Sequence, residues 1–295
     1  MCTATLIPIP GGYRLVHSRD ELRTRSPAEP PGWRDLPIDG LTGGPTGDDG
    51  SGTPIEALAP LDPDAGGTWI AVDRRGRAVA VMNANPPVRG GINRDTHTAA
   101  DALYRPAEGG EGSRPISRGL LAGLLLGAAG WPPECPRLRE LAARMRPHRA
   151  VVVDPGAGPG AAGPGAVPGA GPGGSPRVAV WSGGGGDGGR WSEGAVPGVW
   201  VSSGLGDDRV APRVDLFEEG IAGDGFGAAA QDRFHRHRWA DRPEISVLME
   251  RADARTVSIT TVEVAGDRVR MAYEEVASTG EVGSPETTEA LVRSG

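Results

Sequence analysis

A cysteine directly follows the initiating methionine, as Cys2, and a small residue at that place becomes the N-terminus once Met1 is removed. A free α-amino group, with a pKa of about 7.7–8.0, can act as general base for the side chain of its own residue, as it does for N-terminal threonine nucleophiles. The residues that would make such a thiol useful stand at a suitable spacing. A chain turning about Pro10-Gly11 sets Cys2 opposite Arg19, and a slip of one residue sets it opposite Ser18 or Asp20. Directly opposed residues of an antiparallel pair have Cβ atoms about 4.5–5.5 Å apart, so local geometry gathers a thiol, a guanidinium and a carboxylate. Arg19 would favour the thiolate of Cys2, and Asp20 would orient the ammonium or Arg19. In a second hairpin, pairing Asp73 with Gly76 puts Asn83 opposite Gly66, where its amide could donate to a developing oxyanion. The plain alternative is that Cys2 is a chance residue opening a strand.

The elements that must position these groups read mainly as hairpins. Thr3–Ile9 and Tyr13–His17 flank Pro10-Gly11-Gly12, Thr68–Asp73 and Ala78–Asn83 flank Arg74-Arg75-Gly76, and Ser258–Val264 and Val269–Val276 flank Ala265-Gly266-Asp267. Further strands are expected at Ala150–Asp154, Val178–Ser182 and Val199–Ser203, and helices at Ser117–Ala129, Pro136–Met145, Ala228–Trp239 and Glu244–Arg251. Strands at both ends with helices between them predict an α+β layered domain on antiparallel sheets. One domain is expected over residues 1–295, interrupted by flexible Gly/Pro-rich insertions at about 40–54, 155–176 and 183–189.

Composition narrows the function. The chain has 48 Gly and 28 Pro in 295 residues, a level that signals low complexity, but those three insertions hold much of it. With 38% hydrophobic residues, the remainder can bury a core. A net charge of −7, with every one of the 31 basic residues an Arg, argues against a polybasic nucleic-acid or membrane-surface protein. The N-terminal apolar run is broken by Pro8 and Pro10 and followed by charges, which is not an export signal, so a cytoplasmic location is expected. Gly119–Gly130 is too short for a membrane span and reads as a buried helix. Two cysteines, Cys2 and Cys135, cannot form a disulfide framework.

Other motifs carry less. Gly158-Pro159-Gly160-Ala161-Ala162-Gly163 matches a dinucleotide fingerprint, but Pro164 and Pro168 prevent the helix such a motif must open. His235 and His237 are expected on a solvated basic helix face, with no carboxylate or Cys at metal-ligand spacing. Cys135 reads as a structural or surface thiol, and Trp69 and Trp200 as core. No metal or cofactor is expected.

Met1-Cys2-Thr3, Ser18-Arg19-Asp20-Glu21, Gly66-Gly67-Thr68-Trp69-Ile70-Ala71-Val72 and Val81-Met82-Asn83 resemble, in order and approximate spacing, the NRDE family, also called the transport-and-Golgi-organisation family. Arg114–Gly119, Ser202–Gly206 and Arg255–Thr261 resemble its later landmarks. That family is similar to the N-terminal-nucleophile hydrolases, which implies a four-layer αββα sandwich of antiparallel sheets. Its analogues among the choloylglycine and penicillin V acylases imply Cys2 as nucleophile, Arg19 and Asp20 as the activating pair, Asn83 as oxyanion donor and Arg255 as a late active-site arginine. The eponymous Asn is Ser18 here, and the family's Gly-Leu-Ser-Asn segment reads Ser203-Gly204-Leu205-Gly206. The resemblance implies an N-terminal cysteine amidohydrolase cleaving a non-peptide C–N amide of a small molecule through an acyl-thioester. The alternative it implies is a non-catalytic carrier of a hydrophobic ligand such as haem or an acyl lipid.

Overall fold

The structure is a computed structural model, and it describes residues 2–36, 54–85, 116–134, 136–156, 175–184, 186–224 and 227–291. The expected insertions at 40–54 and 155–176 lie almost entirely outside the described residues, as does Cys135.

The first hairpin joins β1 (Cys2–Ile9) to β2 (Gly12–Leu22). Its turn places Pro10 ahead of Gly11, whose φ of 76° is what the third position of a type II turn requires. That turn sets the register, with Ile9 opposite Gly12 and, at the far end, Cys2 opposite Arg19, as expected. β10 (Gly198–Ser202) flanks β1 on its other side, β11 (Ala254–Ala265) flanks β2, and β12 (Arg268–Glu275) and β13 (Glu286–Leu291) complete a six-stranded antiparallel sheet in the order β10-β1-β2-β11-β12-β13. The second sheet has seven strands in sequence order: β3 (Glu29–Leu36), β4 (Ile55–Leu61), β5 (Ile70–Asp73), β6 (Ala78–Asn83), β7 (His148–Asp154), β8 (Arg177–Gly184) and β9 (Asp187–Glu193). β3 carries Pro30 and Pro31 and is an edge strand, where a missing N–H breaks no ladder.

Side-chain alternation then builds the layers. Cys2, Ala4 and Leu6 of β1 and Tyr13 and Leu15 of β2 face Ile70, Val72, Ala80, Met82 and Val151 of the second sheet, forming the core between the sheets. The opposite face of the second sheet, with Ala71, Val79, Ala150 and Val152, packs on α1 (Leu121–Gly127) and α2 (Pro136–Arg144) through Leu125 and Leu141. Ile7, on the outer face of the first sheet, packs on Phe217 and Phe234 of α3 (Pro212–Asp224) and α4 (Ala228–His235). The result is the expected αββα sandwich. Both sheets are covered on both faces, which is why runs such as Val151-Val152-Val153 are apolar throughout.

Local expectations differ from the structure in several places. Gly183–Gly189 was expected to be flexible, yet among its described residues Gly183 and Gly184 end β8 and Asp187–Gly189 open β9. Gly189 has a φ of 79°, and a Cβ there would lie 2.3 Å from the Trp181 ring, so glycine is required to admit the buried indole. Glu244–Arg251 forms one 3-10 turn at Pro243–Ile245 and then runs without helix, because Val247, Leu248 and Met249 are all buried and a helix would bury only one face. The helix expected at Ala228–Trp239 ends at His235. His235 is itself fully buried between the Thr5 and Ser18 hydroxyls at 2.7 Å each, not on a solvated face.

Candidate active site

Cys2 stands at the start of β1 and is paired on both sides, with Arg19 of β2 and Ser202 of β10. Its sulfur therefore sits on a rigid part of the sheet, at the wall of a cleft of about 460 Å³ between the two sheets' ends. That volume falls within the usual range of small-ligand sites, about 300–1,000 Å³. Burial pushes the Cys2 thiol up from its ordinary pKa, and the nearby carboxylate of Asp20 adds to this. The N-terminal ammonium, the backbone N–H of Asp20, which donates to the sulfur, and the Arg19 guanidinium act in the opposite direction.

Arg19 and Asp20 are adjacent on a strand and so point to opposite faces. Arg19 lies on the cleft side, its guanidinium carbon 4.3 Å from the centroid of the Trp69 ring. Its Nη2 donates to Asp62 at 2.7 Å and to Glu21 at 3.4 Å, while Arg25 donates to the same Asp62 oxygen at 2.7 Å. The carboxylate partner of Arg19 is thus Asp62, where the sequence suggested Asp20. Asp62 is itself fixed, because its other oxygen accepts the backbone N–H groups of Asp64 and Ala65 at 3.0 and 3.2 Å.

The Asp20 carboxylate is completely buried in the layer beneath. It accepts a hydrogen bond from Thr256 at 2.6 Å and faces Arg213 of α3 at 3.5 Å. Arg213, only 1% exposed, also donates to Thr3 at 2.7 Å and to the Ile245 carbonyl at 2.9 Å. A register shift in β11 between Thr256 and Ser258 sets these two residues opposite Asp20 and Arg19 respectively. That bulge aims the Thr256 hydroxyl at the buried Asp20 carboxylate.

Asn83 ends β6 and lines the cleft with Cys2, and its side-chain amide has no hydrogen-bond partner among the described residues. The second hairpin is shifted by one residue from the expected register, with Ile70 opposite Ala80. The Gly76 amide donates to the Asp73 carbonyl at 3.0 Å, but the hairpin closes one residue later, where the Asp73 amide donates to the Arg77 carbonyl at 2.9 Å, so Gly76, with a φ of 79°, is the third residue of the loop. Asn83 lies beyond the last β5–β6 pair, Ile70 with Ala80, and is not paired with Gly66; on the other side of β6 it pairs with His148 of β7, and Gly67 lines the same cleft. Gly67 packs on Gly119, where a Cβ on either would come within 2.8 Å of the other's Cα. This close approach clamps the 3-10 turn Arg118–Leu120 against the segment leading to Trp69 and brings Arg118 to the cleft wall beside Arg146.

One expected site residue is elsewhere. The Arg255 guanidinium bonds to the carbonyls of Thr256, Val276 and Ala277 and is not in the cleft lining. Ser18, next to Arg19, points to the helix side and bonds His235. At the segment Ser203-Gly204-Leu205-Gly206, the following Asp207 bonds to the Ser203 amide and to Asn85, tying the end of β10 to the end of β6. Asp62, Trp69, Arg118 and Arg213 were missed as site residues. For Asp62 the available signal was the turn-forming run Asp62-Pro63-Asp64 just ahead of Gly66-Gly67. Among the described residues there is no cluster of metal-ligating side chains, and no helix is long and apolar enough to cross a membrane.

No protein-family profile and no curated protein matches the chain. Solved structures are similar at low identity, among them the following three. The penicillin V acylase from Agrobacterium tumefaciens is 14% identical, with a TM-score of 0.44, covering 96% of this chain and 84% of that one. The Caenorhabditis elegans ortholog of N-acylethanolamine-hydrolyzing acid amidase is 11% identical, with a TM-score of 0.39, covering 90% and 93%. A mutant conjugated bile acid hydrolase from Clostridium perfringens is 8% identical, with a TM-score of 0.44, covering 99% and 92%.

Proposed function

We propose that this chain is an N-terminal cysteine amidohydrolase of the NRDE type, cleaving a non-peptide C–N amide through an acyl-thioester on Cys2. The observation that carries the reading is the meeting, in one cleft, of a strand-fixed thiol, a guanidinium held by Trp69 and Asp62, and the unengaged amide of Asn83. Because burial raises the thiol pKa, the sulfur is protonated at neutral pH and needs a base within reach. Removal of Met1 supplies one on the same residue, an α-amine that titrates at about 7.7–8.0 when exposed.

In this mechanism the α-amine takes the thiol proton and the sulfur attacks the amide carbonyl. Asn83 donates to the oxyanion, the C–N bond breaks, and the ammonium returns its proton to the leaving amine. The amine then deprotonates a water, whose oxygen attacks the thioester and releases the carboxylic acid and the thiol. Arg19 stabilises negative charge beside the sulfur, and Asp20 serves through its backbone N–H while its carboxylate anchors β2 to Arg213. A haem or acyl-lipid carrier finds less support, because much of the cleft wall is charged, with Arg19, Arg25, Arg118, Arg146, Glu21 and Asp62 among its residues. The test is turnover of a panel of small N-acyl amides by wild type, Cys2→Ala and Cys2→Ser, with circular dichroism confirming the fold of each variant. The reading requires turnover only in wild type, and full retention of Met1 in protein from the native host would sink it.

A further inference from the structure

Two carboxylates reach the cleft wall, and both accept hydrogen bonds from groups other than Arg118. Asp62 receives Arg19 and Arg25, each at 2.7 Å, and Glu21 receives Arg19 at 3.4 Å and the Leu22 amide at 3.0 Å. Arg118 carries five N–H donors. Among the described residues its guanidinium makes one hydrogen bond, to the Pro147 carbonyl at 3.4 Å. Its backbone is nonetheless fixed: Ser117 caps the 3-10 turn by accepting the Gly119 amide, and Gly119 is locked against Gly67. A positioned, half-buried guanidinium with donors to spare, facing the same space as a nucleophile, is the arrangement that binds a planar anion through two parallel hydrogen bonds.

We propose that Arg118 forms an anion subsite and that the amide cleaved at Cys2 carries a carboxylate, as an N-acyl amino acid does. The inference rests on the hydrolase reading above and names the substrate class of that site. Burial and the neighbouring Arg146 both lower the pKa of Arg118, the condition of a cation that gains from an incoming negative charge. The Gly67–Trp69 segment lies between the two arginines, touching Arg19 through Trp69 and Arg118 through Gly119, so the reacting centre and the anion subsite share one wall.

The test is alkylation of Cys2 in the full chain lacking Met1, comparing anionic iodoacetate with neutral iodoacetamide, read by intact mass and peptide mapping. Relative to a free small thiol, the iodoacetate-to-iodoacetamide rate ratio is expected to be about tenfold higher in wild type than in Arg118→Gln, with Arg118→Lys between them, and to fall as salt is added. Wild type supplies a second readout that needs no variant: N-acetylglycine should protect Cys2 from iodoacetamide at about tenfold lower concentration than N-acetylglycinamide. Equal ratios in wild type and Arg118→Gln, or equal protection by the two amides, would overturn the anion subsite while leaving the nucleophile standing. A Cys2 inert to both reagents would overturn both readings.

Discussion

Acidification should unfold this protein well before its carboxylates are protonated, because three histidines are buried in neutral form. His17 is fully buried with no hydrogen-bond partner at either ring nitrogen among the described residues, and burial lowers its pKa to about 3. His148 is lowered by burial to about 4, and its ring fits as the neutral tautomer, with Nδ1 donating to the Arg146 carbonyl at 3.0 Å and Nε2 accepting from Trp181 at 3.2 Å. His235, between two hydroxyls, is pushed well down by burial and by the nearby Arg14. An unfolded histidine titrates at about 6.5, so the unfolded chain takes up protons that the fold refuses. Stability is therefore fully present above about pH 6.5 and is lost as the pH falls below it. At about pH 5 each unfolded histidine has gained about 2 kcal/mol by protonation, so the three together cost the fold about 6 kcal/mol relative to about pH 7.5. That is a large part of a typical total stability of about 5–15 kcal/mol. The Cys2 thiol, pushed up by burial, stays protonated at both values and adds nothing. Urea unfolding followed by tryptophan fluorescence at the two pH values measures the difference, and His17→Leu should cut it to about 4 kcal/mol. A wild-type loss below about 2 kcal/mol, or a His17→Leu variant that loses as much as wild type, would refute the reasoning.

Arg213→Met removes the cation that faces the buried Asp20 carboxylate, and should cost about 3–5 kcal/mol in urea unfolding, much of it recovered by adding Asp20→Asn. Asp62→Asn keeps an acceptor for the Asp64 and Ala65 amides but removes the negative charge shared by Arg19 and Arg25; a loss of about 1.5–3 kcal/mol by the same assay is expected. Gly119→Ala puts a Cβ 2.8 Å from the Gly67 Cα and 2.9 Å from the Thr68 nitrogen, so calorimetry should show about 1–3 kcal/mol of destabilisation from overpacking.

The part of the site that was legible in the sequence is the part set by one tight turn. A turn about Pro10-Gly11 sets Cys2 opposite Arg19 or, with a slip of one residue, Ser18 or Asp20, and the structure has the unslipped register. The second hairpin slipped by one residue because a three-residue loop with Gly76 in the left-handed region competes with the two-residue turn, and the residues at the turn do not separate them. Strand alternation alone separates Arg19 from Asp20, but it does not name their partners. Asp62 and Arg213 arrive from distant segments, and the bulge that offers Thr256 to Asp20 has no sequence mark. That the chain forms an α+β layered domain was legible from the succession of strand and helix patterns, while the four-layer order came from the family resemblance. α3 was not legible, since Gly220 and Gly223 and a mixed pattern of charges hide its apolar face, and β3 and β4 carry prolines that read as breaks. The glycine-rich stretch at Gly183–Gly189 resembled a linker in composition, while Gly183 and Gly189 have a steric reason, the accommodation of Trp181.

The central claim is that Cys2, once N-terminal, is acylated by its substrate. The most direct measurement is intact mass and peptide mapping of acid-quenched single-turnover mixtures of an N-acyl amino acid with the chain lacking Met1. The account predicts an added acyl mass on the N-terminal peptide that forms and then decays, and that is absent in Cys2→Ala. An enzyme that turns over the amide with no acyl mass on Cys2, or with the adduct persisting in Cys2→Ala, would contradict it.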